Sequence, residues 1–201
     1  MKSNFWIVLF SLISVGLSAQ LSVGVKGSVI RSDFRVTEVS NPNVSSFSFD
    51  DGFGYRVGFV ARVDIIKVFI QPELLFTEIN AQANASNREG KTAQYKFQLH
   101  RFDVPIPIGV KLGDFEVFIA PIASFNLNNG ASIFSETYRQ GGWNLQGGAG
   151  YSIGKFNIQL HYEAALSEFA KSAIIEIGDE IYNVPMNVYN STYGLSLSYT
   201  F

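Results

Sequence analysis

The 201-residue chain has no cysteine, which excludes a disulfide framework, a thiolate metal site and a cysteine nucleophile. It has only two histidines, His100 and His161, and their separation of 61 residues gives no metal-ligand spacing. An excess of one charge is missing too. Fifteen Lys and Arg stand against 17 Asp and Glu, a net charge of −2, which argues against a nucleic-acid partner. Past the N-terminus no uncharged apolar run approaches the ~18 residues of a membrane helix, and no stretch shows helical periodicity. The glycines at 141–142 and 147–150 lack the strand–glycine–helix setting of a phosphate loop. Asp50 and Asp51 in "FSFDDGFG" (47–54) lack the repeated oxygen ligands of a calcium loop and read as a solvated loop base. No catalytic, cofactor-binding or metal-binding residue is therefore expected, and no cofactor.

The N-terminus is distinctive. Lys2 precedes an apolar run from Phe5 to Leu17, and Leu17-Ser18-Ala19 ends in a small residue. This is the pattern of a signal peptide over 1–19, too short to span a bilayer, with the mature domain at 20–201.

The rest of the chain alternates with period 2 over eight candidate strands, roughly 21–32, 53–64, 67–80, 95–112, 115–127, 143–153, 155–168 and 189–201. Most are longer than the ~5–6 residues of an ordinary strand and match the ~9–11 of a tilted membrane-spanning one. Three connections are tight: Asp64 to Lys67, Leu112-Gly113-Asp114 and Ile153-Gly154-Lys155. Four are long and polar: 33–52, 81–94, 128–142 and 169–188. Their strict alternation places all long loops at one end, the asymmetry of outer-membrane barrels. The fold expected is all-β: an eight-stranded antiparallel up-and-down transmembrane β-barrel of the outer-membrane type. A soluble lipocalin-like barrel in the periplasm is the rival.

The faces support that choice. On "FNIQLHYEAALSEF", Phe156, Ile158, Leu160, Tyr162, Ala164 and Leu166 oppose Asn157, Gln159, His161, Glu163 and Ser167. In lipid the apolar set faces outward and the polar set inward. Tyr55, Phe115, Phe125, Trp143, Tyr151, Phe156, Tyr193, Tyr199 and Phe201 gather near strand ends, as an interfacial girdle requires. Strand 95–112 is irregular. Its apolar phase slips near His100-Arg101, which suggests a bulge or the membrane boundary, and Pro105 and Pro107 fall on the polar face. Phe69, Leu75, Phe118 and Ile122 also fall inward and point to a filled lumen.

Parity assigns Lys26, Arg56, Arg62, Gln71, Glu73, Arg101, Asp103, Lys111, Glu116, Gln146, His161 and Glu163 to the lumen. Signs are interspersed, so a structural salt-bridge network is expected rather than the one-sign ring of a selective channel. A narrow channel and a lipid-modifying enzyme are the lesser alternatives. For an enzyme, His161, Glu163 and Ser167 share one face, but Ser167 is ~20 Å along the strand from His161, too far for proton transfer. His100 is read as interfacial.

In the long loops, Phe34, Phe47, Phe49 and Phe53 lie in 33–52, and Ile174, Ile175, Ile177, Ile181, Tyr182 and Met186 lie in 169–188. "AIIEIGDEIYNV" reads as a hairpin with Gly178-Asp179 at its tip. These apolar residues either bind a protein or glycan partner or pack over the barrel mouth.

"VGVKGS" at 23–28, "FIQPELLF" at 69–76, "FDVPIPIGVKL" at 102–112 and the terminal "YGLSLSYTF" resemble the PorT-like outer-membrane β-barrel proteins of Bacteroidota. The resemblance covers the whole mature chain. It implies a Gram-negative outer-membrane location with N- and C-termini periplasmic. It also implies that Phe201 is the signal read by the barrel-assembly machinery. The founding member is linked to type IX secretion and gliding, which adds an accessory secretion role as an alternative. The expected function is that of a small monomeric barrel in outer-membrane lipid, structural or interaction-type, not an enzyme.

Overall fold

The computed structural model describes residues 20–37, 41–127, 141–168, 170–178 and 180–201. The segment 1–19 read as a signal peptide, most of loop 128–142, and Asp179 lie outside the described residues. The strands are β1 (Gln20–Thr37), β2 (Val44–Phe49), β3 (Gly52–Ile65), β4 (Val68–Ile70), β5 (Glu73–Asn87), β6 (Thr92–Pro105), β7 (Ile108–Leu112), β8 (Phe115–Asn126), β9 (Gly141–Ile153), β10 (Phe156–Ala165), β11 (Ala170–Ile177) and β12 (Glu180–Thr200). All described pairings are antiparallel.

Several strands are halves of one interrupted stave. β2 and β3 both pair with β5, and β10 and β11 both pair with β12. β4 and β5 share β3, while β6 and β7 share β8. Eight staves result. The ring closes where β1 pairs with β12 from Gly24↔Thr200 to Thr37↔Asn187, so the spanning section has no open edge.

Three two-residue turns join staves at one end, as the sequence predicts. Gly113 (φ 72°) and Gly154 (φ 61°) supply the left-handed backbone such turns require. Ile66 does the same job at φ 57°, a conformation a β-branched residue adopts only under strain.

Along β8, Phe115, Val117, Ile119 and Phe125 are exposed while Glu116, Phe118, Ile122 and Ser124 are buried. From Phe115 to Phe125 is ten steps, ~33 Å along the strand and ~25 Å of height at a tilt of ~40°, the height of an outer-membrane apolar band. Leu21 (68%), Phe59 (68%) and Leu160 (66%) are exposed in the same band around the barrel. A belt this size would be insoluble in water; its solvent is lipid. The nine girdle aromatics all face outward. Phe115–Tyr151 (4.7 Å) and Phe156–Tyr199 (5.0 Å) mark the tight-turn rim, and Tyr162–Tyr193 (4.8 Å) marks the other.

Beyond that second rim the faces exchange character. On β12, Tyr193, Leu195 and Leu197 point out and Thr192, Ser196 and Ser198 point in; further along, Asn183 and Asn187 point out and Val184, Met186 and Val188 point in. On β6, Phe97 and Leu99 are inward above and Arg101 and Asp103 below, in unbroken register with β5. The phase slip at His100-Arg101 is therefore no bulge. It is the height at which the outside changes from lipid to water. His100 marks it, half-buried, stacked on Phe76 and 3.3 Å from Glu78.

Most of the stretches 33–52, 81–94 and 169–188 are strand, not loop. They raise one side of the barrel into two three-stranded sheets, β2–β5–β6 and β11–β12–β1. Between them lies an apolar core of Phe34, Phe47, Phe97, Ile175, Met186 and Val188. Ala81, Ala83 and Ala85 on β5 let the facing sheet approach. "AIIEIGDEIYNV" forms the predicted hairpin, Ile177↔Glu180 at its tip. Tyr95 on β6 ties it down: its hydroxyl accepts from Glu176 N (2.7 Å) and donates to Glu176 O.

Pro105 and Pro107 face inward as expected, at the β6/β7 break, which faces the Gln71-Pro72 break between β4 and β5. The missing donors fall at these interruptions, while proline carbonyls stay in use. Gln71 N donates to Pro107 O (2.8 Å) and Ile106 N to Pro121 O (3.0 Å).

Candidate functional site

The inward face of the spanning section carries Lys26, Arg56, Arg62 and Arg101 against Glu73, Asp103, Glu116 and Glu163, all buried. Four cations meet four carboxylates, so the lumen is neutral.

Two linked groups fill it. Toward the tight turns, Arg62 donates to Glu116 (2.8 Å) and Gln71 (3.1 Å), and its guanidinium lies 3.9 Å over the Phe69 ring. Lys26 donates to both Glu73 oxygens (2.8 and 3.0 Å) and to Gln159 Oε1 (2.8 Å), and Gln159 Nε2 donates to Glu116 (2.9 Å). Toward the raised rim, Glu163 accepts from Arg56, Arg101 (2.8 Å) and Asn144 (2.8 Å). Asp103 accepts from Arg101 (2.9 Å), Thr77 (2.5 Å) and Ser124 (2.6 Å). Such bonds are what make buried ions tolerable, since an unpaired one costs several kcal/mol.

Of the twelve residues that parity assigns to the lumen, eleven are buried there. Lys111 sits at the tight-turn mouth, half-exposed and 3.1 Å from Asp64. Phe69, Leu75, Phe118 and Ile122 are buried inside as well. Thr77, Ser124, Asn144 and Gln159 complete the network. Their faces follow from alternation, but their partners depend on which staves meet across the barrel, and no local pattern encodes that.

Glycines make the space. A Cβ on Gly194 would lie 2.3 Å from His161 Nε2, and one on Gly109 2.6 Å from the Phe69 ring. His161 Nδ1 is 3.3 Å from Ser196 Oγ, a serine–histidine contact from a neighbouring stave. No acid orients it: His161 Nε2 is buried without a partner, and Glu163 is held by two arginines. Ser167 instead accepts from Trp143 N (3.1 Å). Among the described residues no cluster of His, Asp and Glu could hold a metal.

The apolar loop residues pack over the barrel mouth. Phe34, Phe47, Ile175, Ile177, Tyr182 and Met186 are buried in the rim core, Ile174 is half-buried, and Phe53 and Ile181 are exposed. Asp50 and Asp51 sit where β2 meets β3; Asp50 accepts from Asn84 (3.1 Å) and Asp51 pairs with Arg31.

A closed antiparallel ring with a lipid-facing apolar band, paired ions inside and aromatic rims defines a transmembrane β-barrel of the outer-membrane class. The chain belongs to the outer membrane protein beta-barrel domain family, whose pattern matches residues 17–171. No curated protein sequence matches it. Among solved structures it is similar to the outer membrane protein OprG from Pseudomonas aeruginosa, at 12% identity over 90% of this chain and 95% of that one, with a TM-score of 0.59. It is also similar to outer membrane protein AlkL in DMPC bilayers, at 12% identity over 89% and 90%, with a TM-score of 0.47.

Proposed function

We propose that the protein is a sealed, monomeric outer-membrane barrel of structural or interaction type that conducts nothing and catalyses nothing. Segment 1–19 serves as its signal peptide. Both chain ends face the periplasm and the raised rim faces outward, in keeping with short turns on the periplasmic side of such barrels. Phe201, exposed in the tight-turn girdle, is the assembly signal. The PorT-like resemblance fits this reading, with an accessory role in secretion or gliding as the alternative.

One observation carries it: the neutral network of four cations and four carboxylates across the lumen, roofed on the raised side by the apolar rim core. Eight staves enclose only enough space for side chains. Planar-bilayer recording tests it. The reconstituted protein is expected to be silent in salt solution; a stable single-channel conductance would refute the sealed barrel.

A further inference from the structure

The interior of the rim is solid, so whatever the rim binds must meet its outer wall. Among the described residues, that wall carries a built feature where β2 meets β3. Phe49 pairs with Ala83 and Phe53 with Asn80, so four steps on the β2/β3 stave oppose three on β5. The extra residue is a bulge, a device that re-aims side chains. Its result is that Asp50 and Asp51, consecutive residues, are both exposed on the outer surface, where a regular strand would send one inward.

Beside the bulge lies a cleft of about 600 Å³ lined by Asp50, Asp51, Phe53, Gln82, Lys96 and Gln98, among others. Two of its amides are held together, Gln98 donating to Asn80 (2.8 Å) at its lower end. Just above the cleft, Gln94 donates to Asn84 (3.2 Å) and Asn84 to Asp50 (3.1 Å). Gln82 and Lys96 form the cross-strand pair between those two rungs, inside the cleft. Phe53, 64% exposed, forms the lower lip.

We propose that this cleft binds the sugar headgroup of a glycolipid anchored in the surrounding leaflet; the proposal rests on the outward orientation of the rim. Sugar hydroxyls each donate and accept. Amides offer both functions at fixed spacing, carboxylates accept from neighbouring hydroxyls, Lys96 donates, and an aromatic lip packs against the C–H face of a pyranose. Position decides the source. Phe53 pairs with Arg31, the first polar outward residue beyond Val29, so the cleft opens sideways just above the apolar band. Headgroups of bilayer-anchored glycolipids lie at that height, whereas a free glycan meets the rim's tip first.

The test uses the full chain in nanodiscs. Deacylated core oligosaccharide of rough lipopolysaccharide, the headgroup without its anchor, is titrated and followed by saturation-transfer NMR on the sugar protons, with maltotriose as the control for sugars in general. The core oligosaccharide is expected to bind and maltotriose not to. Gln82→Ala with Lys96→Ala should weaken binding by about tenfold or more, the loss of one ordinary hydrogen bond or two, while heat-modifiable gel mobility stays unchanged. Equal binding by the variant, or equal binding of maltotriose, overturns the proposal. Orientation is read separately. The chain has no cysteine, so Glu89→Cys at the β5/β6 tip gives one site for an impermeant maleimide on intact cells. A labelled tip with a silent titration overturns the cleft alone; an unlabelled tip overturns the orientation.

Discussion

Replacing Glu163 by glutamine tests the network at its most connected acid. Its carboxylate is fully buried and accepts from Arg56, Arg101 and Asn144. Glutamine keeps the shape and one acceptor oxygen but removes the charge. Four buried cations are then left with three acids, and Arg56 and Arg101 share Asp103, which lies 3.6 Å and 2.9 Å from their Nε atoms. Removing one partner of a buried ion pair costs ~3–5 kcal/mol, because the remaining charge stays desolvated. Asp51→Asn at the exposed Arg31 pair is the control and should cost under ~1 kcal/mol. Urea unfolding in lipid vesicles measures both, and in a chain expressed from Gln20 the only tryptophan is Trp143, a convenient probe. Arg101→Met combined with Glu163→Leu restores neutrality and should recover more than half of the loss, since isosteric apolar replacement of a buried pair is often close to neutral. If Glu163→Gln costs no more than Asp51→Asn, the lumen is wet enough to screen its charges and the sealed network is refuted.

Gly194→Ala drives a methyl group to 2.3 Å from His161 Nε2 and should destabilise by ~1–3 kcal/mol; His161→Ala in the same chain should remove most of that, a coupling a double-mutant cycle measures. Tyr95→Phe removes both bonds to Glu176 and should raise amide exchange in β11 while the unfolding midpoint of the barrel moves little. Ile66→Gly relieves a left-handed β-branched residue and should raise stability by up to ~1 kcal/mol, read as a higher urea midpoint at unchanged slope.

The barrel is legible in the sequence because alternation with period 2 is a local property. Lys26, Arg56 and Glu163 can each be assigned to the lumen from their own strand alone. Which ion meets which depends on the order of the staves around the ring, so pairs such as Lys26–Glu73 and Arg101–Glu163 become visible only in three dimensions. The rim is harder to see for a different physical reason. Residues 33–37, 81–86 and 182–188 alternate as regularly as the spanning strands, but their polar members face water and their apolar members face inward. Taken with the lipid convention, that pattern looks like a polar loop studded with stray aromatics.

The exchange of faces also decides where folding free energy comes from. Within the band, apolar side chains leave water in the unfolded chain for lipid in the folded barrel, and the ladder bonds and ion network satisfy the polar groups of the ring. Above the band, water surrounds the wall and apolar side chains leave it only by packing inside the rim. Phe34 packs on Phe49 (5.3 Å) and edge-on to Phe97 (5.5 Å) there, on strands whose lower halves carry Lys26, Arg101 and Asp103 inward. A single stave such as β12 must therefore satisfy two solvents in succession with one unbroken alternation. It does so by changing residue type on both faces at once, near Tyr189 and Asn190. That simultaneous change, and no break in the strand, sets the height at which the barrel leaves the membrane.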